Sequence, residues 1–370
     1  GLPPQFTVMD ADDQLALIRR IQKELGLDPR DPDPRRIAWQ ISQWKNELID
    51  PETLPDTDDI TAAAKKVFRR HREISQAEHV LDFDDLLVRP VELLRDDDEL
   101  RKAWQQRFPY VLIDEYQDTN KVQYRLVRLL GEHGNVCATG DPDQAIYGWR
   151  GADISNILTF EKDFADCTSV LLEENYRSTA IILRAAQGVV RNNQLRKDKT
   201  IFTRKADGLP IRILAVDDEL DESFAVSAAV ERLIAQGRSR SDIAVFYRTN
   251  AQARSLEDGL RRRGIPYHIV NGQRFYDRQE VKDVVAYLRL LVNPADRTAL
   301  ARIANVPARG LGERTVDLWW QLADDEHVSP TEVLERPELI ERVAVGRAAT
   351  PLRDMARLWK QLRSLPIGDP

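Results

Sequence analysis

The run Val111-Leu112-Ile113-Asp114-Glu115-Tyr116-Gln117-Asp118 sets two adjacent carboxylates directly behind a short apolar segment. If that segment is a strand of a parallel sheet, both acids fall at its carboxyl end, where open α/β sheets bind ligands. Asp114 alone suffices for magnesium, which prefers hard oxygen ligands and keeps most of its water. Glu115 can orient and deprotonate a water that attacks a γ-phosphate. An acid-rich surface turn would look the same, so the pair by itself leaves both readings open.

Two further segments repeat the pattern. Val136-Cys137-Ala138-Thr139 leads into Gly140-Asp141-Pro142-Asp143-Gln144, where a tight turn would bring a neutral amide, Gln144, to the same sheet edge. Five residues on stand Trp149 and Arg150. An exposed Trp beside Arg is the composition of a stacking platform for single-stranded bases. A core Trp beside a surface Arg is the alternative. The third segment ends in Glu173-Glu174-Asn175-Tyr176-Arg177-Ser178. Here Arg177 can act as a finger on transition-state charge and Tyr176 can stack on a purine. A plain helix start with Ser178 as its cap is the other possibility.

The elements that must position these residues can be read from periodicity. Residues 1–108 are predicted helical, with helices over Leu15–Leu25, Arg36–Leu48 and Ile60–Glu78 separated by Pro/Asp-rich loops at 28–35 and 50–59. From residue 110, short apolar runs at Tyr110–Ile113, Val136–Thr139, Ser169–Leu172, Ile211–Ala215 and Ile243–Tyr247 are predicted to be buried parallel strands. Crossover helices fit Lys121–Leu130, Ala180–Val190 and Ser223–Ala235. Helical patterns return at Val281–Leu291, Arg297–Ile303, Thr315–Ala323 and Ala348–Leu362. The fold class expected is α/β with parallel sheet.

Composition narrows the partners. Charged residues make up 31% of 370 and the net charge is −7, which gives no support of its own to a nucleic-acid partner. Residues 1–60 hold 7 Lys and Arg against 13 Asp and Glu, so the excess acid is concentrated there and the rest is near neutral. No apolar run approaches the ~18 residues of a membrane span. The two cysteines, Cys137 and Cys167, lack metal-site spacing and fit a reducing, cytoplasmic setting.

In this order and spacing, VLIDEYQDTN, GDPDQAIYGWRGA and LLEENYRST resemble three consecutive motifs of superfamily 1 DNA helicases of the UvrD/PcrA/Rep group. DFDDLL at 82–87, VFYRTNAQAR at 245–254, IPYHIVNGQRFYDRQEVKDVVAYLRLLVNP at 265–294 and NVPARGLGERT at 305–315 extend the resemblance along nearly the whole chain. It implies P-loop NTPase-type (RecA-like) motor domains with helical insertion subdomains. The implied activity is ATP-dependent 3′→5′ DNA unwinding in repair or replication, with ATP and Mg2+ at the site. Single-stranded DNA and junctions with duplex are the implied partners, alongside repair or replication proteins.

Position by position, the resemblance implies that Asp114 holds magnesium, Glu115 is the base and Gln144 senses the γ-phosphate. Arg177 becomes the arginine finger and Tyr176 the adenine stack. Phe83, Tyr147, Trp149 and Arg150 would line the strand path. Arg248 and Asn250 would touch the strand from a second motor domain. Gly310 and Gly312, with Thr315, resemble a loop gripping the duplex backbone, where absent side chains let amides approach phosphates. Pro142 and Ala145 depart from the usual family residues without touching an assigned role. The family layout gives 1–80 as a helical insertion of the first motor domain and 81–175 as the rest of that domain. Residues 176–276 begin the second motor domain and 277–370 the helical insertion within it.

One family motif is missing. No Gly-Lys dipeptide occurs among the 370 residues, so they contain no G-x-x-x-x-G-K-[ST] phosphate loop. The expectation is a chain cut at both ends. On its own, it would then be an inactive DNA-binding or partner-binding piece rather than a working motor. A helicase–nuclease motor related to RecB is a third candidate, disfavoured by the unbroken match through 245–315.

Overall fold

The computed structural model describes residues 6–28, 32–164, 166–194, 199–270 and 278–364. They fall into two compact units. The first comprises the described residues of 1–171, 192–199 and 279–370, and the second those of 172–191 and 200–278. The expected boundary at 276/277 lies outside the described residues.

In the first unit, the N-terminal helices begin where acidic caps start them. Asp10 accepts the Asp13 N–H at the head of α1 (Ala11–Glu24). Asp33 precedes Pro34, the first residue of α2 (Pro34–Asn46), and Asp58 accepts from Thr61 at the head of α3 (Asp59–Ala77). Gly26, at φ 67°, supplies the left-handed residue after α1. Ile18, Ile21, Ile37, Ile41, Trp44, Val67 and Phe68 form the core between these three helices. β1 (Thr7–Val8) pairs in parallel with β2 (Val80–Leu81), closing this bundle.

The chain continues through α4 (Asp85–Asp96) and α5 (Asp98–Arg107) to β3 (Val111–Ile113). α6 (Lys121–Leu130) opens on a capping box between Asn120 and Gln123 and leads to β4 (Val136–Ala138). β3 and β4 pair in parallel, with Leu112 opposite Cys137. Val91, Leu94, Val122 and Leu129 pack α4 on α6.

The same unit contains the helices Gln279–Val292, Arg297–Ile303, Glu313–Asp325, Pro330–Glu335, Pro337–Val343 and Ala349–Arg363, built round Trp319 and Trp359. Ion pairs and hydrogen bonds join these helices to the N-terminal bundle. Arg289 pairs with Asp13 and Asp296, and Lys282 with Asp10 and Asp12. Asn293 donates to the backbone carbonyl of Glu78 at 2.8 Å.

The second unit carries the helices Ala180–Val190, Glu219–Ala235 and Ala251–Arg262.

The chain is thus mixed α/β, helix-rich, with two small parallel pairs as its only sheets among the described residues. This corrects the expectation of five buried strands. Residues 169–172, 211–215 and 243–247 form no strand. Their apolar side chains are largely exposed, as are Leu172, Ile213 and Phe246. Even within β3, Leu112 is 78% exposed. An apolar run supplies strand propensity, but ladder and burial come from neighbours on either side, and those are not provided by the described residues.

Candidate functional site

The carboxylate pair stands where the sheet places it. β3 ends at Ile113, whose carbonyl accepts the Thr139 N–H at 2.8 Å, and the Tyr116 N–H returns to the Thr139 carbonyl at 2.9 Å. The two strand ends are therefore laced together around the acids. Asp114 Oδ1 accepts from the Thr139 hydroxyl at 2.6 Å and from the Glu115 N–H at 3.0 Å. The Thr139 bond, then the Glu115 amide, holds the Asp114 carboxyl below the usual range. The residue is ionised at neutral pH and stands at the surface, with both hydrogen bonds falling on one oxygen.

Glu115 adopts a left-handed backbone, φ 51° and ψ 42°, unusual for a residue with a side chain. The turn Tyr116–Asp118 follows at once. Tyr116 is fully buried edge-on against Phe160, and burial pushes its hydroxyl up to about 12. This anchor fixes the Glu115 backbone above it.

Gln117 was given no role by the sequence, yet it organises the site. It is buried, and its Nε2 donates to Glu115 Oε2 at 2.6 Å while its Oε1 accepts the Asp141 N–H at 3.0 Å. One amide therefore bridges the loop after β3 to the loop after β4. Gly140 makes room for it. A Cβ at Gly140 would lie 2.5 Å from Gln117 Oε1 and 2.8 Å from Ile157 Cδ1. The signal available in sequence was an amide two residues past Glu115, facing a glycine turn after the next strand.

Asp141 caps the turn Pro142–Gln144 and accepts from Gln144 Nε2 at 2.8 Å. Lys199 pairs with both Asp141 and Asp143. Burial works against the Asp141 charge, but Lys199 and Gln144 outweigh it and hold the carboxyl low. Gln144 is exposed.

Four residues past Gln144, the turn Gly148–Arg150 displays its side chains to solvent. The Arg150 guanidinium lies 4.6 Å from the Trp149 ring centre and 5.5 Å from that of Tyr147. Trp149 is 65% exposed, which removes the core-Trp alternative. A cation held between two exposed rings is a sound platform for a base and its phosphate. Phe83, 64% exposed, stands at the head of α4 in the same unit. The Gly310 backbone is left-handed at φ 79°, and a Cβ at Gly310 or Gly312 would meet nothing within 4 Å. Buried Leu311 anchors this loop, and the Thr315 N–H donates to the Gly312 carbonyl at 2.9 Å.

The remaining candidates belong to the second unit. Asn175 Oδ1 accepts the N–H groups of Arg177 and Ser178 at 3.0 and 2.8 Å. The following helix starts at Ala180 with Thr179 in the cap position, so Ser178 is not its cap. Tyr176 is 75% exposed and donates to Glu174 at 3.0 Å, and Arg177 is exposed as well. Arg248 and Asn250 are exposed just before the helix Ala251–Arg262, with the Arg248 N–H on Gln252 Oε1.

Residues 1–165 match the UvrD/REP helicase N-terminal domain, and residues 170–335 match the UvrD-like helicase C-terminal domain. The chain belongs to the UvrD-like helicase family. Among its relatives, the ATP-dependent DNA helicase PcrA of Bacillus subtilis is 44% identical over 86% of this chain and 43% of its own length. DNA helicase II of Escherichia coli is 38% identical over 97% of this chain and 50% of its own. The chain therefore spans about half the length of these relatives. No helix among the described residues is long and apolar enough to cross a membrane.

Proposed function

We propose that this UvrD-like chain supplies the water-activating part of an ATPase site, together with a single-strand platform, to an ATP-driven 3′→5′ DNA helicase. The observation that carries this is the Gln117 bridge. It links Glu115 to the Asp141–Gln144 turn at 2.6 and 3.0 Å, and the same chain segment runs on into the Trp149–Arg150 platform. The names of the relatives supply ATP as nucleotide and DNA as track.

In this reading Glu115 takes a proton from the attacking water, and Gln117 holds its carboxylate in place. Gln144 reports the γ-phosphate to the loop through Asp141. Tyr176 stacks on the adenine, and Arg177 offsets charge developing on the phosphoryl group. Asp114 suits magnesium, being ionised, exposed and free on one oxygen; the ion would supply electrostatic stabilisation of phosphate charge. Phe83, Tyr147, Trp149 and Arg150 stack and grip single-stranded DNA, which Arg248 and Asn250 also contact. The Gly310–Gly312 loop with Thr315 takes duplex phosphates at a junction.

The layout within the parent is then RecA-like. Residues 1–80 form an insertion in the first motor domain and 81–175 its remainder. Residues 176–276 begin the second motor domain and 277–370 its insertion. Repair or replication proteins as partners and a cytoplasmic setting complete the reading.

The test joins this chain to a phosphate-binding loop in one polypeptide and replaces Glu115→Gln. ATP hydrolysis should be lost while single-stranded DNA binding persists. Retained turnover would remove Glu115 from its role. A second reading concerns the 370 residues alone, which contain no Gly-Lys loop. Without that positive clamp, β/γ-phosphate positioning fails, and the chain binds DNA or a partner without turnover. DNA-stimulated hydrolysis by the 370-residue chain would refute it.

A further inference from the structure

Lys45 and Asn46 close α2, and both side chains reach the turn Asp82–Asp85 that presents Phe83. Lys45 Nζ lies 2.6 Å from Asp82 Oδ2 and 2.8 Å from Asp85 Oδ1, with all three side chains buried. The two carboxylates also cap each other's backbone. The Asp82 N–H donates to Asp85 Oδ2 at 3.2 Å, and the Asp85 N–H to Asp82 Oδ1 at 2.9 Å. Asn46 Nδ2 donates to Asp84 Oδ1 at 3.0 Å. Phe83 thus projects from a turn whose residues on either side are all tied down.

The tie continues beyond this turn. Asn46 Oδ1 accepts from Asn120 Nδ2 at 2.7 Å. Asn120 caps α6 directly behind the loop that carries Asp114 and Glu115. A buried Lys between two buried carboxylates adds little net stability over apolar side chains of equal volume, so what it contributes here is geometry. Burial works against the Lys45 charge, but Asp82 and Asp85 outweigh it and hold its pKa above the ordinary lysine value.

We propose that Asn46 is a positioning residue for Phe83. Its bond to Asp84 holds the Asp82–Asp85 turn so that the ring meets a single-stranded base in one orientation, and its Oδ1 ties that turn to the carboxylate loop through Asn120. The inference rests on the reading that Phe83 lies on the strand path.

The test measures binding of a fluorescent oligo-dT to the 370-residue chain and its variants. Phe83→Ala should weaken binding about tenfold or more, the loss of one stacked base. Asn46→Ala should weaken it roughly 3- to 10-fold, the loss of a tether of ordinary hydrogen-bond strength. The double variant should bind no more weakly than Phe83→Ala, because Asn46 acts through the ring. Asp84 is half-buried, so Asp84→Ala releases the same tether without opening the core. Asp84→Asn removes its charge but keeps the acceptor, and it should bind more tightly than Asp84→Ala. That pair decides the matter if Asn46→Ala fails to fold.

If the unsubstituted chain does not bind oligo-dT, or Phe83→Ala binds as well as it does, the Phe83 reading falls and this inference with it. If Phe83→Ala weakens binding while Asn46→Ala and Asp84→Ala do not, the inference alone is overturned. It is likewise overturned if Asn46→Ala weakens the Phe83→Ala variant further.

Discussion

Gln117 donates to Glu115 Oε2 at 2.6 Å from a fully enclosed position, while its other amide atom takes the backbone N–H of Asp141 at 3.0 Å. The two atoms of one amide therefore set the distance between the two loops. Gln117→Leu keeps the bulk and removes both of these bonds and a longer one to Asp118 Oδ2 at 3.3 Å, leaving the Asp141 N–H without its partner. A buried donor left unpaired costs ~1–3 kcal/mol. Urea denaturation of the 370-residue chain should show a loss of that size. In a polypeptide that also carries a phosphate loop, turnover should fall further than nucleotide affinity, because Glu115 loses its orientation rather than the nucleotide its contacts. An unchanged midpoint would mean that water replaces the amide at no cost.

Gly140 is needed for space. Its φ lies outside the left-handed region, but an added Cβ would press on Gln117 Oε1 at 2.5 Å, Ile157 Cδ1 at 2.8 Å and the Tyr116 nitrogen at 3.1 Å. Gly140→Ala should destabilise by ~1–3 kcal/mol as the Gln117 amide is displaced. Coupling to Gln117→Leu checks the cause. If the clash is with that amide, the double variant loses less than the sum of the two singles.

Trp149 and Arg150 form one unit in which the ring presents a face and the guanidinium sits on it at 4.6 Å. Trp149→Ala should weaken oligo-dT binding by ~1–3 kcal/mol with little change in salt dependence. Arg150→Ala should lower the slope of log affinity against log salt by about 0.7, the value for one phosphate contact on a single strand. Equal salt slopes for the two variants would show that Arg150 serves only to brace the ring.

Much of the helical frame was legible in the sequence. The Lys121–Leu130 and Ala180–Val190 helices have the limits that their periodicity predicts, because apolar spacing and flanking caps are local signals. The sheet was not legible in the same way. Ile211–Ala215 reads as a buried strand, yet Ile213 is 95% exposed, since burial depends on neighbours that a local run does not encode. At the site, Asp114 and Glu115 stand out as acids after an apolar triplet. Gln117 did not, because its importance lies in facing Gly140 and Asp141 from 24 residues away in sequence. The Lys45–Asp82–Asp85 cluster was not legible for the same reason: a lysine at the end of one helix and the two aspartates on either side of Phe83 are far apart in sequence, and only folding buries them together.

His71 makes the α1–α3 bundle sensitive to acid. It is almost fully enclosed, its Nδ1 3.4 Å from the Ser75 hydroxyl and its Nε2 without a hydrogen-bond partner. Burial, reinforced by the nearby Lys45 charge, lowers its pKa from 6.5 to about 4. The folded chain therefore keeps the ring neutral where the unfolded chain would protonate it. The sign follows from proton counting. Above pH 6.5 neither state binds the proton, and this residue's contribution is fully present. Between 6.5 and about 4 the unfolded state binds more protons, so stability is lost as pH falls. The full loss is on the order of 3 kcal/mol. Thermal melts from pH 7.5 to 4.5 should show a declining midpoint, and His71→Gln, neutral throughout, should flatten the part of the curve below pH 6.5. Parallel curves for the two proteins would assign the acid sensitivity to the carboxylates instead.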